Sequence, residues 1–125
     1  EIRSIERIIR KVDEGRPVLA VIDEILRGTN TKERIAASTA VLQYLREKGC
    51  LVIAATHDLE IAENLVSGPA GYEGFYFCEE AYEQGLAFDY RIHPGICRQT
   101  NAVRLLEGFG VPEEIPREAR RSLEE

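Results

Sequence analysis

Apolar and polar residues follow three rhythms along the chain. Residues 1–14 place Ile2, Ile5, Ile8, Ile9 and Val12 at helical spacing with charges between them, which predicts an amphipathic helix stopped by Gly15. No capping signal precedes that helix. Pro17 then opens Val18-Leu19-Ala20-Val21-Ile22, five apolar residues without a polar break, followed at once by Asp23-Glu24. A run this short and this apolar predicts a strand buried on both faces, as in a parallel sheet. Residues 32–48 return to helical spacing. Ile35, Thr39, Leu42 and Leu45 mark the inner face, Ala36 and Val41 widen it, and Gly49 is the stop. Asn30 or Thr31 is the expected N-cap. Cys50-Leu51-Val52-Ile53-Ala54-Ala55 is a second unbroken apolar strand. Strand, helix and strand at this spacing predict a βαβ unit with a right-handed crossover and parallel strands.

Past a short helix over 59–66, capped by Asp58, Gly68-Pro69-Ala70-Gly71 breaks the chain and the rhythm changes to period two. From Gly74 to Ile92, Phe75 and Phe77 oppose Tyr76 and Cys78, and Leu86, Phe88, Tyr90 and Ile92 oppose Ala87, Asp89 and Arg91. With Glu83-Gln84-Gly85 as the turn, this predicts an antiparallel hairpin at the sheet's end. A helix over roughly 97–108 carries Val103, Leu105 and Leu106, with Phe109 next. Pro116 is expected at the first position of a last helix. The predicted fold class is therefore α/β, with parallel strands, an antiparallel hairpin and a C-terminal helical pair. Residues 1–92 and 93–125 are its expected divisions.

Composition narrows the function classes. The chain has 125 residues, enough for one core, with 44% hydrophobic and 30% charged residues, ordinary for a soluble globular protein. The net charge of −6 gives no support to a broad nucleic-acid face. Arg3, Arg7, Arg10 and Lys11 share their helix with Glu1, Glu6, Asp13 and Glu14, so they read as a solvated face. Arg117, Arg120 and Arg121 of the last helix are likewise matched by Glu118, Glu124 and Glu125, which speaks against a DNA-reading helix. Cys50, Cys78 and Cys97 are widely spaced and odd in number, suiting a reducing, cytoplasmic compartment and forming no metal pattern. No apolar run reaches membrane-spanning length. The chain opens on Glu1 and contains no Met, so further sequence is expected upstream.

The candidate chemistry lies where the two predicted strands end. Ligands of open α/β sheets bind at the carboxyl ends of strands. The first strand delivers Asp23 and Glu24 there, the Walker B pattern: an Asp to help hold Mg²⁺ at nucleotide phosphates and a Glu to orient or deprotonate a water. An acidic turn after a core strand explains the same two residues equally well. The second strand ends in Thr56-His57-Asp58, on the same edge. A strand-end His is often a surface residue, but beside an Asp-Glu pair it is better explained as a γ-phosphate sensor or a partner of the water.

Taken together, Val21-Ile22-Asp23-Glu24-Ile25-Leu26-Arg27-Gly28-Thr29-Asn30-Thr31 and Ala54-Ala55-Thr56-His57-Asp58-Leu59-Glu60 resemble the MutS family of mismatch-repair ATPases, within the ABC-type ATPases. Asp-Glu alone is weak evidence, whereas the Asp-Glu, the Arg-Gly-Thr-x-Thr loop and the Ala-Thr-His with a Glu shortly after it are together specific in order and spacing. The likeness covers most of the chain. It implies a P-loop NTPase sheet, with ATP and Mg²⁺ as ligands, Asp23 on the metal, Glu24 as catalytic carboxylate and His57 as switch histidine. It also implies that Arg27, Gly28, Thr29, Asn30 and Thr31 face the partner subunit of a homodimer, and that DNA binds through upstream domains. The helices of the tail would serve dimer contact.

Two departures qualify the resemblance. No Gly-x-x-x-x-Gly-Lys-Ser/Thr loop occurs in the 125 residues, nor does the upstream signature loop, so the expectation is the second half of an ATPase domain, inactive alone. Ile25-Leu26 stands where mismatch-recognising members usually carry Leu-Gly or Ile-Gly, which points to a divergent branch. Two other readings stay open. One is a non-catalytic dimerisation module that keeps the fold. The other is a His-Asp metal phosphohydrolase on His57-Asp58, for which further ligands are scarce because His93 is the only other histidine.

Overall fold

The computed structural model describes residues 1–28, 30–82, 85–98 and 102–124. The chain divides into two compact units, Glu1–Gly74 and Phe75–Glu125.

In the first unit the apolar stripe at the start of the chain forms α1 (Ile2–Asp13). Its Ile5, Ile8 and Ile9 are half-buried and Val12 is buried, whereas Ile2 remains exposed. The Glu1 side chain makes no capping bond, in keeping with the missing cap signal. Helix α2 (Thr31–Glu47) is capped by Asn30, whose side chain accepts from the Lys32 N–H at 3.0 Å and the Glu33 N–H at 3.5 Å. Gly49 ends it at φ +85°, a left-handed conformation that only glycine takes without a Cβ penalty.

Strands β1 (Leu19–Asp23) and β2 (Leu51–Ala55) pair in parallel, with Leu19 opposite Leu51 and Asp23 opposite Ala55. Helices α1 and α2 cover one face of this pair. Val12, Ala20, Leu45 and Cys50 form one buried cluster there. Ile25, Leu42, Ile61 and Leu65 form a second, which brings in α3 (Leu59–Ser67). Leu45 is fully buried and Leu42 and Ile61 nearly so, each burial contributing about 1.5–3 kcal/mol. Within α2 the buried small residue is Ser38, whereas Ala36, expected to widen the inner face, is exposed.

The strands are not buried on both faces. Leu19, Val21, Leu51 and Ile53 all point to the second face and are 60–69% exposed. The apolar run is a strand, as its pattern predicts, but residues 1–74 supply a cover for one side only.

In the second unit the expected single hairpin is two separate antiparallel pairs. Strand β4 (Glu79–Tyr82) pairs with β5 (Gly85–Phe88), and β3 (Phe75–Tyr76) pairs with β6 (His93–Pro94). The expected turn residues Glu83 and Gln84 lie outside the described residues. The described strands form three two-stranded sheets. Asp89 breaks the period-two pattern: its carboxylate accepts from the Arg91 N–H at 2.9 Å and meets His93 Nε2 at 2.7 Å, while Tyr90 sits at φ +56°. These local bonds compete with the ladder. The backbone bond and His93 hold the Asp89 carboxyl below its ordinary value.

Helices α4 (Ala102–Gly108) and α5 (Glu114–Glu124) form the terminal pair, linked by an Arg120–Glu107 ion pair. Pro116 is buried at the third position of α5 rather than the first. The first turn tolerates it, because N–H groups there have no intrahelical partner.

Candidate functional site

The parallel register sets Asp23 against Ala55, so Glu24 and Thr56 leave the sheet at one edge. Glu24 extends the ladder by one bond, its N–H donating to the Ala55 carbonyl at 2.9 Å. The chain then turns at Glu24 itself, with φ +53°. Adjacent residues of a regular strand point to opposite faces, and this turn is what frees the Glu24 side chain from that alternation. A non-glycine residue in the left-handed region carries a strain of about 1–3 kcal/mol, sustained by surrounding contacts. One of those contacts is specific: Glu24 Oε1 accepts the main-chain N–H of His57 at 2.7 Å. The Glu24 side chain is only 17% exposed, while the His57 ring is 98% exposed. His57 Nε2 lies 3.9 Å from Glu24 Oε1, too far for a hydrogen bond. Asp23 ends β1 on the exposed side.

The loop after Glu24 is anchored at both ends. Ile25 is buried in the second cluster, and Asn30 is held in its capping bonds to α2. Between them the Arg27 N–H donates to Glu1 Oε1 at 3.3 Å, and Gly28 sits at φ +82°. Arg27, Gly28, Asn30 and Thr31 are exposed; Thr29 lies outside the described residues. Leu26, which departs from the usual glycine, adopts φ +57°. The backbone at this position thus keeps the conformation glycine favours, while the Leu26 side chain packs against the second cluster.

Sequence reasoning missed Arg34. Its guanidinium forks onto the Asp58 carboxylate, Nη2 donating to Oδ1 at 3.1 Å and Nη1 donating to Oδ2. The two side chains are 17% and 22% exposed. The bond from Asp58 raises the Arg34 guanidinium above its ordinary value, against partial desolvation, and the charges of Asp58 and Glu24 add to the rise. Asp58 does stand at the N-cap position of α3, but its side chain makes no capping bond. The carboxylate serves Arg34 instead. The Asp58 N–H donates to Thr56 Oγ1 at 3.0 Å, closing the turn from below. A signal existed in the sequence, a cation in the first turn of a helix, where the dipole disfavours it. Its partner lies 24 residues away, beyond any local pattern.

No group of three or more His, Cys, Asp or Glu side chains able to hold a metal ion occurs among the described residues. A cation at Asp23 would therefore complete its shell with water and phosphate oxygens. Magnesium at nucleotide sites is bound in this way, through one or two carboxylates plus substrate phosphates, so the donor set fits Mg²⁺ accompanying a nucleotide. Among the described residues His57 and Asp58 belong to no such group. Among the described residues no helix is long and apolar enough to cross a membrane.

Comparison with known proteins bears on the family of the chain. The family model of MutS domain V matches residues 1–125. The DNA mismatch repair protein MutS of Aquifex pyrophilus is 34% identical over 108 residues, covering 86% of this chain and 12% of that protein. The DNA mismatch repair protein MutS of Thermus thermophilus is 27% identical over 123 residues, covering 98% of this chain and 14% of that protein. Endonuclease MutS2 of Carboxydothermus hydrogenoformans is 30% identical over 129 residues, covering 98% of this chain and 15% of that protein.

Proposed function

The chain belongs to the MutS family, as its domain V, and from that premise we propose that its strand-end edge is one part of an ATP-hydrolysing site. In this reading Asp23 would help hold the Mg²⁺ that accompanies the nucleotide. Glu24 orients or deprotonates the attacking water. His57, its ring free in solvent, senses the γ-phosphate. Arg27, Gly28, Thr29, Asn30 and Thr31 face the nucleotide bound by a partner subunit in a homodimer. Mg-ATP, when bound, supplies the phosphoryl group and its charge. The residues of this chain position the water, hold the metal and report the nucleotide's state.

The observation that supports this best is the Glu24 Oε1 bond to the His57 N–H at 2.7 Å. It joins the ends of the two strands at one edge and leaves the His57 ring 98% exposed. A merely acidic turn needs neither a left-handed Glu24 nor a half-buried carboxylate.

The chain spans 12–15% of the length of the three relatives named above. The phosphate-cradling loop would come from elsewhere in the full-length protein, together with the domains that bind DNA and couple ATP hydrolysis to repair in the cytoplasm. Residues 1–125 alone are then expected to show no ATP turnover and at best very weak Mg-ATP binding, because no nest of backbone N–H groups surrounds the phosphates. Calorimetry on residues 1–125 is the check. Micromolar affinity would mean that the chain carries a complete nucleotide site and would overturn the division proposed here. The non-catalytic module is the alternative, favoured if the full-length protein lacks a phosphate loop.

A further inference from the structure

Arg34 and Asp58 find each other rather than a local partner. Arg34 lies in the first turn of α2, where the helix dipole disfavours a cation. Asp58 stands at the N-cap of α3, where its carboxylate would ordinarily accept a helix N–H. They pair with each other instead, in a two-pronged fork that is mostly shielded from water. An exposed ion pair adds little, but a bidentate guanidinium–carboxylate fork demands one geometry from both partners.

That geometry fixes the turn that touches Glu24. Helix α2 is anchored in the core by Leu42 and Leu45. Through Arg34 it holds the Asp58 side chain, and the Asp58 N–H is bonded to Thr56 Oγ1. His57 lies between the two, and its N–H is the donor to Glu24 Oε1. We propose that Arg34 is a positioning residue for the Glu24–His57 pair. It acts through Asp58, fixing the main-chain N–H that orients the Glu24 carboxylate. The proposal rests on the reading of Glu24 as the carboxylate that serves the attacking water.

The test uses the full-length protein and measures single-turnover Mg-ATP hydrolysis, nucleotide binding and thermal unfolding side by side. Arg34→Met keeps the aliphatic stem and removes the fork. It should slow hydrolysis by about 10- to 100-fold, the scale on which small misplacements act. Nucleotide affinity should change by less than about threefold, because the loss falls on the chemical step. Asp58→Asn should act alike, and the Arg34→Met/Asp58→Asn double variant should be no slower than the slower single variant. Arg34→Lys keeps the charge but not the fork, and should restore only part of the rate.

Glu24→Gln separates this proposal from the reading beneath it. Because Arg34 acts only through Glu24, the Arg34→Met/Glu24→Gln variant should hydrolyse ATP as slowly as Glu24→Gln, followed over hours. If Arg34→Met and Asp58→Asn run at the parent's rate while Glu24→Gln is slow, positioning by Arg34 is wrong and the ATPase reading stands. If Arg34→Met slows the Glu24→Gln protein by the same factor as the parent, Arg34 acts on general integrity and the proposal fails. If Glu24→Gln itself runs at the parent's rate, the underlying reading fails and the proposal with it. Should Arg34→Met not fold, the nearly isosteric Asp58→Asn and the charge-preserving Arg34→Lys decide the matter.

Discussion

The two parallel strands end side by side, yet they leave the sheet by different means. After β1 the backbone takes a strained left-handed step at Glu24, and the carboxylate is drawn in until it is 17% exposed. After β2 the chain stays unstrained, the backbone N–H of His57 is engaged, and the ring is left 98% exposed. One side chain is held before any ligand arrives; the other is free to meet one. A group that must orient a water benefits from preorganisation. A group that must distinguish the presence of a phosphate benefits from being unengaged until the phosphate is there. The contrast between the turns supports the division of labour proposed for Glu24 and His57.

Both turns stand on one foundation, and the largest effect comes from removing it. Leu45→Ala takes a fully buried side chain from under β1 and β2 and should cost about 2–5 kcal/mol in denaturant unfolding, disturbing both turns alike. Leu51→Thr, on the uncovered face of the same sheet, should change the stability of residues 1–125 far less. Equal losses would mean that the second face is not open.

His57→Ala should break the contrast on one side only. The main-chain N–H that holds Glu24 remains, so hydrolysis in the full-length protein should fall by about 10²–10³-fold, as for the loss of one charge-stabilising donor, with ATP affinity nearly unchanged. Equal turnover in variant and parent would return His57 to the status of a surface residue.

The strained step offers a finer test. Leu26, at φ +57°, shares the left-handed backbone of this turn. Leu26→Val keeps an apolar side chain but is β-branched, and should cost about 1–3 kcal/mol for backbone strain and lost packing. Leu26→Gly loses more packing yet relieves the strain, and should be the milder change in the same unfolding experiment. The reverse order would show that side-chain packing, not backbone conformation, governs the position.

The smallest effect concerns the strap behind the second turn. The Tyr72 hydroxyl donates to the Leu42 carbonyl at 2.8 Å, tying the segment after α3 to α2. Burial pushes the Tyr72 hydroxyl up to about 12. Because the folded value lies above the unfolded one, of about 10, the stability linked to Tyr72 is complete below pH about 10 and is lost as pH rises toward 12. Tyr72→Phe should cost about 0.5–1.5 kcal/mol near neutrality and remove this alkaline decline. A decline that persists unchanged in Tyr72→Phe would assign it elsewhere.

The sequence showed the strands, the long helices and the acidic strand end, because each is written in neighbouring residues. Asp23-Glu24 follows its apolar run directly, and Asn30 and Gly49 bracket α2 as caps should. What it hid depends on distance or on cover. The Arg34–Asp58 fork joins residues 24 positions apart, and the sequence pattern offered Asp58 only as a helix cap or, with His57, a metal ligand. Val21 and Ile53 are as apolar as Ala20 and Val52, so the pattern alone cannot tell which face finds a partner. Phe75 to Ile92 alternates as one hairpin would, but the local bonds of Asp89 to Arg91 and His93 separate the two pairs.

The central claim, that Glu24 is the preorganised catalytic carboxylate beside a metal-binding Asp23, meets its most direct test in single-turnover hydrolysis by the full-length protein with Mg²⁺ titrated. Glu24→Gln preserves size and the acceptor for the His57 N–H but removes the base. It should leave ATP bound and cut hydrolysis by about 10²–10⁴-fold, the usual scale for a general base. Asp23→Asn should instead weaken the Mg²⁺ dependence of nucleotide binding. Hydrolysis at the parent's rate by Glu24→Gln would contradict the claim and make the non-catalytic module the better reading.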